Sequence, residues 1–237
     1  MTKAFFNSKE ILAVFTDRFG GVSKEPFDSF NFGFHVGDDE DDVLENYQIL
    51  RERFSIGEIA YMEQVHSDTV KIVDESNEIK ETDAIITNKP RLTLVVMVAD
   101  CIPVLFYDPV NKVIAVAHVG RVGVFKNIIE KTILKMQEKF NSDVENILVS
   151  VGPSIKSCCY EVGEDIISAT KEKFGKQYIK NKKFLDLPDI TLGQLLKSGV
   201  IKNNIEIINK CTACNEDYFS YRRNKKTGRC VGVIMIK

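Results

Sequence analysis

Three short stretches contain side chains that could bind one metal ion together. They are "EQVHS" with His66, "ADCIP" with Cys101 and "AHVG" with His118. One thiolate and two imidazoles suit a borderline-soft ion such as zinc. Three protein ligands leave the fourth tetrahedral position for water or substrate, as in catalytic zinc sites. The spacing alone does not identify such a site, because it forms neither an HExxH motif nor a CxxC pair.

The same residues allow two interpretations without a metal. Cys101 could be a nucleophile with His118 or His66 as its base, since residues from different strands can meet in a fold. Alternatively, Cys101 is a packing thiol and the histidines are hydrogen-bonded at strand ends. Asp83 and Asp100 could orient metal ligands or cap turns. The sequence pattern leaves these interpretations open.

A glycine-rich turn and a basic loop are candidates for binding a substrate or phosphate. In "TDRFGGVS", Gly20 and Gly21 permit close approach of a ligand, and Arg18 offers a planar cationic fork. The loop "YFSYRRNKKTGR" places aromatic residues beside Arg222, and His35 in "GFHVGDD" could line the same pocket. The alternatives are a simple surface turn, an exposed basic loop and a histidine bonded to a loop carbonyl.

The remaining cysteines suggest reduced thiols. "CTAC", with Cys211 and Cys214, has half of a zinc-site spacing, but no second CxxC accompanies it. We therefore expect packed or free thiols there. The adjacent pair Cys158 and Cys159 is a poor basis for a disulfide framework.

The surrounding elements must bring the candidate ligands together. "LTLVVMVA" at 92–99 is apolar on both faces, which favours a central strand. "VLFYD" and "KVIAVAHV" are strands joined by the turn "DPVNK", so their ends should bring Cys101 near His118. Helices are predicted at 41–54, 126–140 and 164–174, and from a Thr191 cap to Gly199. Mixed hairpins and β-α-β crossings predict a single α/β domain, residues 1–237, with a mixed β-sheet flanked by helices.

Composition excludes several kinds of partner. The chain has 237 residues and a formal net charge of −2, which gives no reason to expect a nucleic acid or a membrane surface as partner. The longest apolar run is broken by Asp100 and Pro103, so no membrane span is expected. The N-terminal stretch lacks a signal-peptide core, which favours a cytoplasmic location. The sequence leaves the oligomeric state open.

The motifs also form a series in chain order. They run "TDRFGGVS", "NFGFHVGDD", "EQVHSDTV", "TDAIIT", "VADCIPVLFYDP", "AVAHVG", "VGPSIKSCCYEVG", "LDL" and "CTACNEDYFSYRRNKKTGR". This series, which spans nearly the whole chain, resembles the laccase-domain family of YfiH-like proteins, once called polyphenol oxidases and now treated as purine nucleoside phosphorylases. The resemblance implies zinc binding by His66, Cys101 and His118. It also implies phosphorolysis of adenosine, inosine, guanosine and methylthioadenosine, with phosphate as co-substrate, and deamination of adenosine.

One stretch departs from the family pattern. Where the family reads A-H-A-G-W-R-G, this chain reads "AHVGRVG", with Arg121 in the tryptophan position and Val122 in the arginine position. A shift by one residue can turn the guanidinium away from the site. Alternative functions are a cysteine hydrolase, including peptidoglycan-precursor editing, and a non-catalytic zinc-binding member of the family. Copper is less favoured, because one set of two histidines and a cysteine cannot hold the several coppers of a multicopper enzyme.

Overall fold

Two six-stranded β-sheets form the centre of the computed structural model, which describes residues 2–3 and 9–237. The strands are β1 (Thr2–Lys3), β2 (Ile11–Phe15), β3 (Glu58–Met62), β4 (Val70–Ile72), β5 (Glu78–Ile79), β6 (Ala84–Thr87), β7 (Leu92–Val98), β8 (Ile102–Asp108), β9 (Val113–Val119), β10 (Leu148–Val151), β11 (Ile179–Lys180), β12 (Phe184–Leu185), β13 (Ile205–Ile207) and β14 (Cys230–Ile236). The helices are α1 (Glu40–Phe54), α2 (Arg121–Phe125), α3 (Ile128–Phe140), α4 (Glu164–Lys173), α5 (Leu187–Lys197) and α6 (Tyr221–Asn224). The strand orders are β1-β2-β14-β7-β3-β5 and β13-β10-β8-β9-β6-β4, with β11 and β12 as a separate pair.

Both large sheets contain parallel and antiparallel neighbours, so each is a mixed β-sheet. Strand β7 pairs in parallel with β3 and antiparallel with β14, while β10 pairs in parallel with β13 and antiparallel with β8. The expected mixed sheet is therefore confirmed as a type, but it is divided in two. The division follows from the short connection at 99–101, which takes the chain from β7 in one sheet to β8 in the other.

Alternating side chains of β9 enter different layers of the core. Ile114 and Val116 pack between the two sheets, whereas Ala115 and Ala117 pack against the outer helices. Because successive side chains of a strand point to opposite faces, His118 shares the face of Ile114 and Val116. The strand therefore places His118 at one end of the space between the sheets.

Helices cover the outer faces of the two sheets. The buried side of α3 packs on the sheet that contains β9, and the buried side of α1 packs on the sheet that contains β7. The layers thus follow the order helix, sheet, sheet, helix. Within the described part of the chain, every helix is too short or too polar to cross a bilayer.

Two predicted helix starts were wrong. Asn127, with φ of 60°, interrupts the predicted helix 126–140, which begins at Ile128 after the separate short helix α2. Helix α5 begins before Thr191, because Asp186 caps it and accepts a hydrogen bond from the backbone of Asp189. Thr191 lies inside the helix, where its hydroxyl donates to a backbone carbonyl.

Candidate metal centre and its cavity

The three predicted ligands meet at one end of the two sheets. His66 lies in the loop after β3, Cys101 in the connection between β7 and β8, and His118 near the end of β9. Their ligand atoms all lie within 4.8 Å of one another, and Cys101 Sγ is 3.8 Å from His66 Nε2. Ligand atoms bound to one zinc ion at 2.0–2.3 Å are separated by roughly 3–4 Å. The set is therefore close enough to hold one ion.

Strand register explains why a glycine follows His118. Strand β8 pairs with β9 so that Ile102 lies beside Val119, which places Cys101 opposite Gly120. A Cβ atom on Gly120 would lie 3.0 Å from His66 Cδ2 and 3.2 Å from Cys101 Sγ. The absent side chain thus makes room for two of the ligands to approach each other.

One buried carboxylate contacts the segments that carry both histidines. Asp83 Oδ1 is 2.7 Å from His118 Nδ1, which leaves Nε2 of that ring for a metal. The same carboxylate accepts hydrogen bonds from the backbone N–H groups of Val65, His66 and Ser67, at 3.3, 3.1 and 2.6 Å. Asp83 therefore fixes the His118 ring directly and the His66 loop through its backbone.

The charges at the site favour a cation. Burial raises the pKa of the Cys101 thiol, but the charge of His118 and hydrogen bonds from both imidazoles lower it to about 6. Burial also raises the pKa of Asp83, but hydrogen bonds from His118 and Ser67 lower it to about 2. Burial lowers the pKa of His118, but the Cys101 thiolate and Asp83 raise it above its ordinary value. These shifts favour a thiolate and a carboxylate beside a protonated His118, whose proton a bound metal ion would replace.

A cavity of about 680 Å³ opens at these ligands. Its volume is in the range of small-molecule binding sites. Its walls combine aromatic rings with two guanidinium groups: Phe34, Tyr61, Tyr160, Tyr221, Arg222 and Arg229. The cavity can therefore offer flat apolar surfaces and positive charge to one ligand.

Two of the predicted substrate-binding residues line this cavity, His35 and Arg222. Burial, and then the charge of Arg229, lower the pKa of His35. The Arg222 guanidinium donates to the Glu161 carbonyl at 2.9 and 3.0 Å and lies 5.4 Å from the centre of the Tyr160 ring. These contacts hold Arg222 in the cavity wall.

The structure does not bring Arg18, Gly20 and Gly21 to the cavity. The Arg18 guanidinium pairs with the Asp28 carboxylate at 2.8 Å and donates to the Asp28 carbonyl at 2.7 Å. A Cβ atom on Gly21 would lie 2.4 Å from the Ser29 carbonyl oxygen. The glycines and the arginine thus pack the turn against residues 28–30. Their role in phosphate binding stays a prediction, which the contacts of this cavity do not support.

Arg229 is a cavity residue that the sequence analysis missed. Strand β14 pairs with β7 so that Cys230 lies beside Val98, which brings Arg229 to the connection that carries Cys101. The residue stands directly before an apolar run. Nothing local in the sequence shows that this last strand pairs with β7.

Arg121, in the tryptophan position of the family pattern, interacts with the cavity wall. It begins α2, and its charge acts on Tyr160, which lines the cavity. Burial raises the pKa of Tyr160, and the charge of Arg121 opposes that rise. The shifted arginine therefore remains coupled to the site through Tyr160.

The sequence and the fold correspond to a known family. Residues 12–237 match the family described as multi-copper polyphenol oxidoreductase laccase, and the chain belongs to this family. It is 38% identical to a purine nucleoside phosphorylase of Corynebacterium glutamicum, over 97% of this chain and 96% of the relative. It is 35% identical to the purine nucleoside phosphorylase YfiH of Escherichia coli, over 96% of this chain and 95% of the relative. The crystal structure of a hypothetical protein YfiH from Bacillus licheniformis superposes with a TM-score of 0.93 at 30% identity, over 99% of this chain and 96% of that one.

Proposed function

We propose that the chain is a zinc-dependent purine nucleoside phosphorylase that also deaminates adenosine. Its substrates in this proposal are adenosine, inosine, guanosine and methylthioadenosine, with phosphate as co-substrate. The convergence of His66, Cys101 and His118 at a cavity with aromatic and cationic walls carries the proposal. The names of the relatives in Corynebacterium and Escherichia support the reaction class.

The ligand chemistry favours zinc over copper. One thiolate and two imidazoles match zinc, and a bound zinc ion supplies a Lewis acid with one open coordination position. A multicopper centre needs several further imidazoles. The chain contains three histidines in all, of which His35 lies outside the ligand set.

The cavity walls can position both substrates of phosphorolysis. In this reaction a phosphate oxygen forms a bond to the sugar C1′, and the bond from C1′ to the purine breaks with its electron pair going to the base. Arg222 and Arg229 place positive charge where phosphate can bind. Phe34 and Tyr221 offer ring faces on which a purine can stack.

Deamination needs a group that moves protons between water and the amino group. Known zinc deaminases use a glutamate for this step. Asp100 lines the cavity, but it accepts hydrogen bonds from Thr212 and from the backbone of Arg222. Glu63 and Glu78 also line the cavity and are our candidates for the proton carrier.

A cysteine hydrolase is the second candidate, because the lowered pKa of Cys101 would also suit a nucleophile. Its thiol lies 3.8 Å from the His66 imidazole, within reach of a base after a small movement. Thiol alkylation that abolishes activity in a metal-free preparation would support this candidate over the zinc enzyme.

The test combines metal analysis with product detection. Protein purified without added metal is analysed for zinc and then incubated with adenosine, with and without phosphate. Phosphorolysis of adenosine gives adenine and ribose phosphate only with phosphate. Deamination gives inosine in both cases, and with phosphate that inosine is cleaved further to hypoxanthine and ribose phosphate. We expect Cys101→Ser to contain one zinc equivalent less than the wild type and to lose both activities. Cys230→Ser, which changes a buried cysteine of β14 outside the ligand set, should retain them.

Three outcomes would change the conclusion. Full activity in metal-free protein would remove the zinc requirement. A complete zinc site without any nucleoside turnover would support a non-catalytic member of the family. Inosine as the sole product would leave only the deaminase part of the proposal.

A further inference from the structure

A second group of metal-binding side chains lies outside the site described above. The Sγ atoms of Cys158, Cys159, Cys211 and Cys214 all lie within 4.8 Å of one another. Cys214 Sγ is 3.3 Å from Cys158 Sγ and 3.0 Å from Cys159 Sγ. Four sulfurs around one zinc ion at 2.3 Å lie about 3.8 Å apart, which small movements from these positions would achieve. All four cysteines are free of disulfide bonds.

The topology explains how two distant cysteine pairs meet. Cys158 and Cys159 follow β10, and Cys211 and Cys214 follow β13. These strands are parallel neighbours, so the loops that leave them start at the same edge of the sheet. The sequence alone predicts packed or free thiols in "CTAC", because no second CxxC accompanies it. The second pair is the adjacent Cys158–Cys159, about fifty residues earlier in the chain.

Backbone hydrogen bonds hold both loops in place. The Thr212 N–H donates to the Ser154 carbonyl at 3.1 Å, which ties the second loop to the start of the first. Within the first loop, the Cys159 N–H donates to the Lys156 carbonyl at 2.9 Å. Within the second, the Asn215 N–H donates to the Cys211 carbonyl at 3.0 Å. The four thiols are thus carried by turns whose backbone is already fixed.

Two arginines complete this framework. The Arg223 guanidinium donates to the carbonyls of Thr212, Ala213 and Asn215 at 2.8, 3.3 and 3.3 Å. Arg222 donates to the Cys159 carbonyl at 3.5 Å. Lysines at 156 and 210 stand next to the two loops in sequence. These cations would partly offset the net negative charge of four thiolates and one divalent ion.

We propose that Cys158, Cys159, Cys211 and Cys214 form a second metal site, a closed tetrathiolate centre that binds zinc or another thiophilic divalent cation. Four protein ligands fill the tetrahedron, so the ion has a structural role. The proposal is independent of the nucleoside reaction and of metal binding by the first site.

The position of this centre indicates what it stabilises. Tyr160, directly after Cys159, lines the cavity, as does Arg222. Thr212 of the second loop donates to Asp100 at 2.7 Å, and the Arg222 N–H donates to the same carboxylate at 2.6 Å. The loops that carry the four cysteines therefore also support the cavity wall formed by Tyr160 and Arg222, and a bound ion would stabilise that wall.

The test counts zinc in matched cysteine variants. The wild-type chain is compared with Cys211→Ser/Cys214→Ser and with Cys230→Ser as the control, each purified under reducing conditions. We expect the double variant to contain one zinc equivalent less than the wild type and the control to contain the same amount. Because the result is a difference, it holds whether or not the first site is filled. Equal zinc content in all three proteins would overturn the proposal.

A second measurement on the unmutated chain guards against misfolding of the double variant. The reduced protein is treated with a thiol alkylating reagent, with zinc or with excess chelator, and the modified cysteines are identified by mass spectrometry. We expect zinc to slow alkylation of all four cysteines at least tenfold, although Cys158 and Cys214 are exposed. Rapid alkylation in the presence of zinc, or disulfides among the four in protein kept free of oxygen, would contradict the proposal.

Discussion

At the scale of single residues, Asp83 organises the candidate metal centre. Its side chain is fully buried and accepts hydrogen bonds from the His118 ring and from the backbone on both sides of His66. A carboxylate can accept all of these bonds at once. An amide in its place would direct an N–H group at one of these donors. The presence of two accepting oxygens therefore matters as much as the shape of the side chain.

Replacement of Asp83 by asparagine should weaken zinc binding at the first site. The variant loses the acceptor that holds the His118 ring, and loss of such outer partners lowers metal affinity by about 10- to 100-fold. Competition with a coloured chelator measures this affinity. A background of Cys211→Ser/Cys214→Ser removes any contribution from the four-cysteine centre.

Asp108→Asn is the matched control for this measurement. Asp108 is also a fully buried carboxylate with several hydrogen bonds, but it ends β8 at the edge of the sheet away from Cys101. We expect this variant to keep the zinc affinity of the starting protein. An equal loss of affinity in both variants would show that general destabilisation, and not ligand orientation, is responsible.

At the scale of elements, the junction between β9 and α2 positions the ligands. Strand β9 ends at Val119, Gly120 is the N-cap of α2, and Arg121 begins the helix toward Tyr160. A side chain at Gly120 would meet two ligands at once. The stretch "AHVG" therefore supplies one ligand, His118, and its glycine, Gly120, leaves the space that His66 and Cys101 require.

Gly120→Ala should weaken zinc binding more than it destabilises the fold. The added methyl group would displace His66 or Cys101 by a few tenths of an ångström, and crowding in a packed site costs about 1–3 kcal/mol. Zinc affinity by chelator competition and thermal unfolding by circular dichroism separate the two effects.

Gly57→Ala is the control at the element scale. Gly57 precedes β3, has no atom within 4 Å of a built Cβ and has no positive φ. This substitution should leave zinc affinity unchanged and alter stability by less than about 1 kcal/mol. If Gly120→Ala bound zinc as tightly as Gly57→Ala does, the glycine would not be needed for ligand approach.

The elements also show how much of the fold and site the sequence could predict. Apolar runs and the turn "DPVNK" predicted β7, β8 and β9, and hence that Cys101 and His118 would meet. Local pattern could not show the division into two sheets or the pairing of β14 with β7, because both depend on contacts between distant segments. For this reason the sequence did not predict that Arg229 lines the cavity.

A local pattern also placed Arg18 at the site, where the structure does not bring it. A glycine-rich turn has the same local pattern whether it binds an anion or packs on its neighbours.

At the scale of the whole molecule, the candidate ligands lie where the chain passes between the two sheets. His66 lies between β3 and β4, and Cys101 between β7 and β8, with each pair of strands divided between the sheets. His118 comes from one sheet alone. An ion held by the three would therefore join the sheets at one end, while at the opposite end the Asp108 carboxylate holds the turn between β8 and β9 through hydrogen bonds from Val110 and Asn111.

Asp108 should make the stability of the whole molecule sensitive to acid. Burial alone would raise the pKa of its carboxyl group, but hydrogen bonds, including those from Val110 and Asn111, lower it below the ordinary value of 3.8. A lowered pKa in the folded state contributes stability that is fully present above pH 3.8 and is lost as the pH falls through the folded-state value. At pH 7, Asp108→Asn should lower the free energy of unfolding by about 1–3 kcal/mol, because an amide N–H would face a donor.

Urea unfolding from pH 7 downward, followed by circular dichroism in the presence of chelator, measures this effect without metal. The difference between wild type and Asp108→Asn should stay constant down to about pH 4 and shrink below it, because only the wild type gains a proton at this position. Lys112, which follows the Asp108 turn, pairs with Glu10 on the surface, so Glu10→Gln tests an exposed carboxylate near the same turn. That variant should change stability by less than about 1 kcal/mol. A difference between wild type and Asp108→Asn that persisted unchanged into strong acid would mean that the Asp108 carboxylate contributes through its shape alone and not through its charge.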